Sequence, residues 1–222
     1  MILPLALPLL LVGFVVLLIL LVVMIELRVL AYAYRKIGVR PRYMVAVLLL
    51  SLLGSHVNIP LYSVSVPRLT PPEEITIMGR TYIVPPAVEP GATVVAINVG
   101  GGLLPILLSL YLFLRLGMRT RMLIGTAIVA VLVHGLARVV PGIGIAVPML
   151  LPPLVAAAVG LVLAFRRAPP VAYVAGSMGT LIGADLTNLH RIAELGAPIV
   201  SIGGAGTFDG VFLTGIIAGL IT

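Results

Sequence analysis

Cysteine is absent from this chain, which excludes a disulfide framework and a thiol nucleophile. Charge is scarce: 9% of the 222 residues are Asp, Glu, Lys or Arg, against about a quarter in an ordinary soluble domain. That shortage excludes a large water-facing surface. Acid is scarcer than base, 7 against 14, for a formal net charge of +7, and the chain has only two aspartates, Asp185 and Asp209. No His-Glu-x-x-His pattern occurs, so the helical zinc signature of metalloproteases is missing. No basic run precedes the first apolar stretch, which continues from Met1 to Tyr34. A secretory signal needs a charged start and a shorter core, so a retained membrane helix is expected there. The two halves of the chain share no evident repeat.

What is present is apolar, 61% of the residues. Runs of roughly 20 residues, enough to cross about 30 Å of hydrocarbon, recur along the chain. The expected fold is a single all-α polytopic membrane domain over 1–222, with about seven transmembrane helices, some broken by Gly or Pro. The spans read as 4–34, 43–62, 92–114, 121–140, 143–165, 170–189 and 206–222. The fifth opens in PGIGIAVP, where glycine and proline should break or kink it.

The basic residues sit mostly in the short connections, which is the pattern of membrane topology and not of nucleic-acid binding. Connections after spans one, three and five carry Arg35, Lys36, Arg40, Arg42, Arg115, Arg119, Arg121, Arg166 and Arg167. Those after two, four and six carry Arg68, Arg80, Arg138 and Arg191, with Glu73, Glu74, Glu89 and Glu194. Nine basic residues against four place the first set inside, the N-terminus outside and the C-terminus in the cytoplasm. The one sizeable connection, 63–91, contains ITIMGRTYIV, two short strands about a Met-Gly turn between Pro-Pro pairs. A small β-hairpin on the outer face is expected.

With this orientation the embedded polar residues fall at one depth. His56 and Asn58 lie toward the outer end of span two, Asn98 at the start of span three, and His134 and Arg138 in the last turns of span four. Asp185 and Asn188 occupy the outer end of span six and Asp209 the outer start of span seven. Ionisable groups inside a membrane are costly and by default mark a function. Gly100, Gly101, Gly183, Gly203, Gly204 and Gly206 stand beside them, either for tight helix packing or for unwound backbone lining a cavity. Arg138 is the natural counter-charge, holding one aspartate ionised while burial and like charge favour protonation of the other.

The strings INVGGGLLP, GTLIGADLTNL and SIGGAGTFDGVFLTGI resemble the signature segments of a domain-of-unknown-function family of archaeal and bacterial integral membrane proteins, from about residue 42 onward. That resemblance brings no activity with it. Gly183-Ala184-Asp185-Leu186 is similar to the Gly-x-Gly-Asp motif of intramembrane aspartyl proteases such as presenilin and the prepilin peptidases, and AVPMLLPP at 146–153 faintly resembles presenilin's Pro-Ala-Leu element. The likeness implies that Asp185 and Asp209 are a catalytic pair. Ala184 replaces the second glycine, the other aspartate follows the motif instead of preceding it, and the pair lies toward the outer face instead of the cytoplasmic one.

Four readings follow. Asp185 and Asp209 could activate water and protonate a leaving group on a membrane peptide. The same cavity could bind an ion, proton or small polar solute for transport. A metal could be held by three of His56, His134, Asp185 and Asp209, with His190 interfacial. Or the polar layer could be a contact of an accessory subunit. No cofactor is expected; the partners are the lipid bilayer and one of these ligands, and an oligomer is compatible with all four.

Overall fold

The computed structural model describes residues 6–69, 73–77, 80–84, 88–141, 144–204 and 210–222. Its helices are α1 (Ala6–Ile37), α2 (Pro41–Gly54), α3 (Leu104–Arg115), α4 (Arg119–Leu136), α5 (Leu151–Ala164), α6 (Ala168–Thr180), the single turn α7 (Ile192–Leu195) and α8 (Gly210–Ile221). Its strands are β1 (Asn58–Leu69), β2 (Glu73–Ile77), β3 (Arg80–Val84), β4 (Val88–Asn98), β5 (Arg138–Val140), β6 (Gly144–Ala146) and β7 (Ile199–Ile202). The chain is mostly helical with small sheets, as its composition requires.

α6 is the central helix, packed by α3, α4, α5 and α8 and buried at nearly every position. It has no polar face because it has no solvent face. Small residues set the approach: a Cβ on Gly160 of α5 would stand 2.6 Å from that of Ala172. That contact also shows that α5 and α6 fold back on one another. The backbone leaves the helical region at Ala164 (φ −151°, ψ 50°) and Arg167 (φ −135°, ψ 37°), so the apolar run Leu151–Arg191 is a hairpin of two helices. With Leu11–Ile37 and Arg119–Leu136 it makes up the helical runs, among the described residues, that are long and apolar enough to cross a membrane. Pro41–Gly54, Val99–Arg115 and Gly210–Ile221 are shorter apolar helices.

Several expected spans change structure partway. Span 43–62 is helical only to Gly54, and span 92–114 begins as β4 and turns helical after Asn98. Both contain apolar, β-branched stretches that hydropathy alone does not separate from helix. The expected fifth span is indeed broken: β6 occupies its start and α5 begins at Leu151.

The hairpin expected over 63–91 is larger than its sequence suggested. Its inner strands match the expectation, β2 and β3 pairing from Glu73↔Val84 to Ile77↔Arg80; the expected Met-Gly turn lies outside the described residues. β1 and β4 extend it antiparallel from Leu69↔Val88 to Asn58↔Asn98. The prolines do not stop the ladder, because Pro67 pairs with Pro90 and Pro60 lies at a shift of register, positions where a missing N–H is tolerated. β7 joins β4 in parallel, Ala96 opposite Ser201, giving the order β1-β4-β7.

Candidate functional site

The polar layer lies where helices give way to strands. Asn98 ends β4 and caps the helix that follows: its Oδ1 accepts the Gly101 N–H at 2.8 Å, an N-cap contact. Its Nδ2 donates to the Ser55 carbonyl at 2.7 Å and to Asn58 Oδ1 at 3.1 Å. Asn58 Oδ1 also accepts from Ser201 Oγ at 2.6 Å. This chain of bonds ties the end of α2 to β1, β4 and β7. Asn98 is fully buried, so its removal strands the Gly101 N–H away from water. Asn98→Leu is expected to lower stability by about 2 kcal/mol, seen as a reduced unfolding temperature in detergent; an unchanged temperature would contradict this role.

Asp185 stands where α6 loses its regular form. Leu181–Asp185 is a π-turn and Leu186–Arg191 a 3₁₀ stretch, an irregularity often found at functional sites. Gly183 sits in the π-turn because a side chain there would run into the Ala130 carbonyl of α4. The Asp185 carboxylate accepts the Gly203 N–H through Oδ2 at 2.7 Å. Gly203 and Gly204 both have φ +80°, the left-handed turn that glycine adopts without strain. Asp185 therefore anchors the glycine-rich connection leading to α8. Gly206 and Asp209 lie in that connection, outside the described residues, as does the separation between the two aspartates.

A cavity of about 180 Å³ opens beside this contact. Among the described residues its polar lining is Asp185, Asn188, Ser201 and Gly204, with apolar walls such as Ile145 and Leu189. Asn188 is buried, and its Nδ2 donates to the carbonyls of Ala184 at 2.8 Å and Gly183 at 3.4 Å. Its donors are thus spent on backbone, and Oδ1 is the atom left for a ligand.

Of the residues singled out by sequence, Asp185 and Asn188 share this cavity, and Asn58 and Asn98 reach it through Ser201. His56, His134 and Arg138 are not among the residues that line it. His56 is exposed, with Nδ1 at 3.2 Å from the Leu52 carbonyl. His134 is exposed and lies 2.9 Å from Thr187 Oγ1. Thr187 Oγ1 also donates to the Gly183 carbonyl at 2.8 Å. Arg138 is exposed at the start of β5. Among the described residues no group of three or more His, Asp or Glu is placed to hold a metal ion. Gly100 meets the Ser51 carbonyl and Gly203 the Gly102 backbone, so both are positions of close packing.

Three residues escaped the sequence reading. Ser201 and Thr187 carry only short hydroxyls, whose partners are set by tertiary contact. Glu26 had a signal, being the one acid within the first apolar run. It lines a separate, mainly apolar cavity of about 250 Å³ between α1, α2 and α8, with Ser51 and Phe212.

No curated protein and no solved structure matches the chain. Residues 52–221 match the family model described as a protein of unknown function, DUF1614; the matched region starts near the end of α2 and holds the whole polar layer. The chain belongs to the DUF1614 family.

Proposed function

We propose that the protein binds a small cation at Asp185, from the outer side of a seven-helix membrane domain, as a transporter-type site. The observation that carries this reading is the set of oxygen-bearing side chains, Asp185, Asn188 and Ser201, in the otherwise apolar lining of the cavity at the break in α6. The Asp185 carboxylate, the Asn188 carbonyl and the Ser201 hydroxyl line one space, and hard cations take oxygen ligands of this kind. Helices that unwind at membrane depth and expose backbone are a recurring way of building such sites. At about 180 Å³ the cavity has room for about six waters at ~30 Å³ each. That volume suits an ion with part of its hydration better than an extended peptide.

The seven passes of this reading are α1, α2, α3 with its preceding π-turn, α4, α5, α6 and α8. The short ones, such as the 14-residue α2 and 12-residue α8, reach only about 20 Å at 1.5 Å per residue. Strands continue from α2 and precede α3 and α5 at their outer ends, which supports a polar layer on the outer side of a thinned helical bundle. Charge supplies the orientation, because the nine basic residues of the odd-numbered connections belong inside.

The lack of native cysteine makes the orientation directly testable. Single cysteines at Thr120 and His190, both exposed, are expected to react with a membrane-impermeant maleimide from opposite sides, His190→Cys from outside. Labelling of both from the same side would reject the topology. For the site, the purified chain is titrated with Na⁺, K⁺, Mg²⁺ and Ca²⁺ and the same ions are offered to proteoliposomes. Saturable binding of one of them, lost in Asp185→Asn, is expected; no saturable binding by any would reject the proposal.

A second reading, the diaspartyl hydrolase, keeps one specific support. The Asp185–Gly203 bond fixes the start of the stretch that leads to Asp209, and six residues span no more than about 20 Å. In that case Asp185→Asn and Asp209→Asn would each abolish cleavage of a co-expressed membrane substrate. Full cleavage by either variant would sink it.

A further inference from the structure

The end of the bundle opposite Asp185 holds a second concentration of charge. α4 has 18 residues, so at 1.5 Å per residue its first turn lies about 27 Å from its last. At that first turn a cleft of about 680 Å³ opens between the α3–α4 and α5–α6 connections. Arg121, Arg166, Arg167 and Thr120 line it over an apolar base that includes Leu116 and Leu163.

Arginines at this face satisfy the topology rule wherever they point, so their number alone is no argument. What distinguishes these three is that they converge on a space. Other cations of the same end are engaged: Arg115 bonds the Gly38 carbonyl at 3.2 Å, Lys36 donates to the Leu220 carbonyl at 2.8 Å, and Arg119 lies over the Phe113 ring. Among the described residues, no hydrogen bond or ion pair within the protein engages the guanidinium of Arg121, Arg166 or Arg167. No acid occurs in the stretches 110–125 or 160–175 that build the cleft. α4 also starts there without a side-chain cap, leaving first-turn N–H groups that favour an anion.

The flank of the cleft is apolar. Val162 is 84% exposed and lies with the exposed Leu151 and Leu154 at helical spacing along α5, and Phe165, 79% exposed, follows just past the end of that helix. A ligand satisfying both surfaces is an amphiphile with an anionic head and a hydrocarbon tail. We propose that this cleft binds the phosphate of an anionic phospholipid of the inner leaflet, its acyl chains lying along α5. Arg121, Arg166 and Arg167 meet the phosphate oxygens, for which guanidinium forks are suited, and basic recesses between helices on the cytoplasmic side are suited to such headgroups. The proposal is independent of what Asp185 binds.

The test counts lipids bound to the full chain by native mass spectrometry in a neutral detergent, with phosphatidylglycerol, phosphatidylcholine and inorganic phosphate as probes. Preference for phosphatidylglycerol is expected, falling about tenfold in the triple variant Arg121→Gln/Arg166→Gln/Arg167→Gln. The triple variant Arg35→Gln/Arg40→Gln/Arg42→Gln removes equal charge from the same end outside the cleft and is expected to keep the preference. Equal loss in both, or in neither, overturns the proposal, as does inorganic phosphate binding at the cleft and displacing the lipid. Because neutralising these arginines can disturb insertion, Arg121→Lys/Arg166→Lys/Arg167→Lys keeps the charge and loses the fork geometry. It is expected to bind the lipid severalfold more weakly, and wild-type binding by it overturns the assignment.

Discussion

Replacing Asp185 with Asn is expected to weaken cation binding at the α6 break by about 100-fold while leaving the unfolding temperature close to that of the wild type. The two readouts separate because the proposed site asks two things of Asp185. As an acceptor for the Gly203 N–H at 2.7 Å it holds the turn into α8, and an Asn carbonyl oxygen can take that bond over. As a charge in the cavity it has no substitute. A titration of the purified protein with the cation found to bind, beside thermal unfolding in the same detergent, reads both. Wild-type affinity in the variant would reject Asp185 as the site, and a large fall in unfolding temperature would mean that the carboxylate mainly supports the fold. Asp209→Asn divides the two functional readings, since the hydrolase needs both acids and the cation site only Asp185.

Gly183→Val is expected to be the most destabilising single change considered, by about 3 kcal/mol. A Cβ at this position runs into the Ala130 carbonyl oxygen, with the Ala130 carbonyl carbon and Cα each at 3.1 Å. These are backbone atoms inside α4, so no rotamer change relieves the contact and α4 must shift as a body. Asp185 lies two residues on, so the displacement also reaches the cavity. Gly135, in the same α4, is the control: a Cβ there meets nothing within 4 Å. Gly135→Ala should leave stability unchanged or raise it by up to about 1 kcal/mol, the helix propensity gain of alanine. Thermal unfolding of both variants in one detergent decides the matter. A Gly183→Val protein as stable as Gly135→Ala would mean that α4 and α6 are not in this contact.

The parts of the fold legible in the sequence are those governed by local chemistry. The Met-Gly turn between β-branched runs announces β2 and β3, and PGIGIAVP announces the break before α5. The extent of the β1–β4 ladder was not legible, because Pro60, Pro67 and Pro90 argue against a strand. Only the register, with Pro67 opposite Pro90, shows how they are accommodated. The changes from helix to strand after Gly54 and from strand to helix after Asn98 were hidden for a different reason. Apolar β-branched residues satisfy a membrane helix and a strand equally by hydropathy, and the choice is made by the Asn98 cap and the pairing Asn58↔Asn98.

The candidate site divides in the same way. The nearness of Asp185, Asn188, Asn58 and Asn98 to the ends of apolar runs is legible in the sequence. Their division into a cavity and a structural network does not follow, because hydrogen-bond partners 40 or more residues apart, as for Asn98 with Ser55 and Asn58, depend on how elements pack. The sequence by itself determined the membrane-like character of the chain and the uneven distribution of its basic residues among the connections, because these depend on composition and order along the chain. Only the tertiary structure decided that Asp185 holds the Gly203 turn, that Ser201 and Asn188 join it at one cavity, and that three arginines from α4 and the α5–α6 turn share one cleft, because each of these requires segments far apart in sequence to meet.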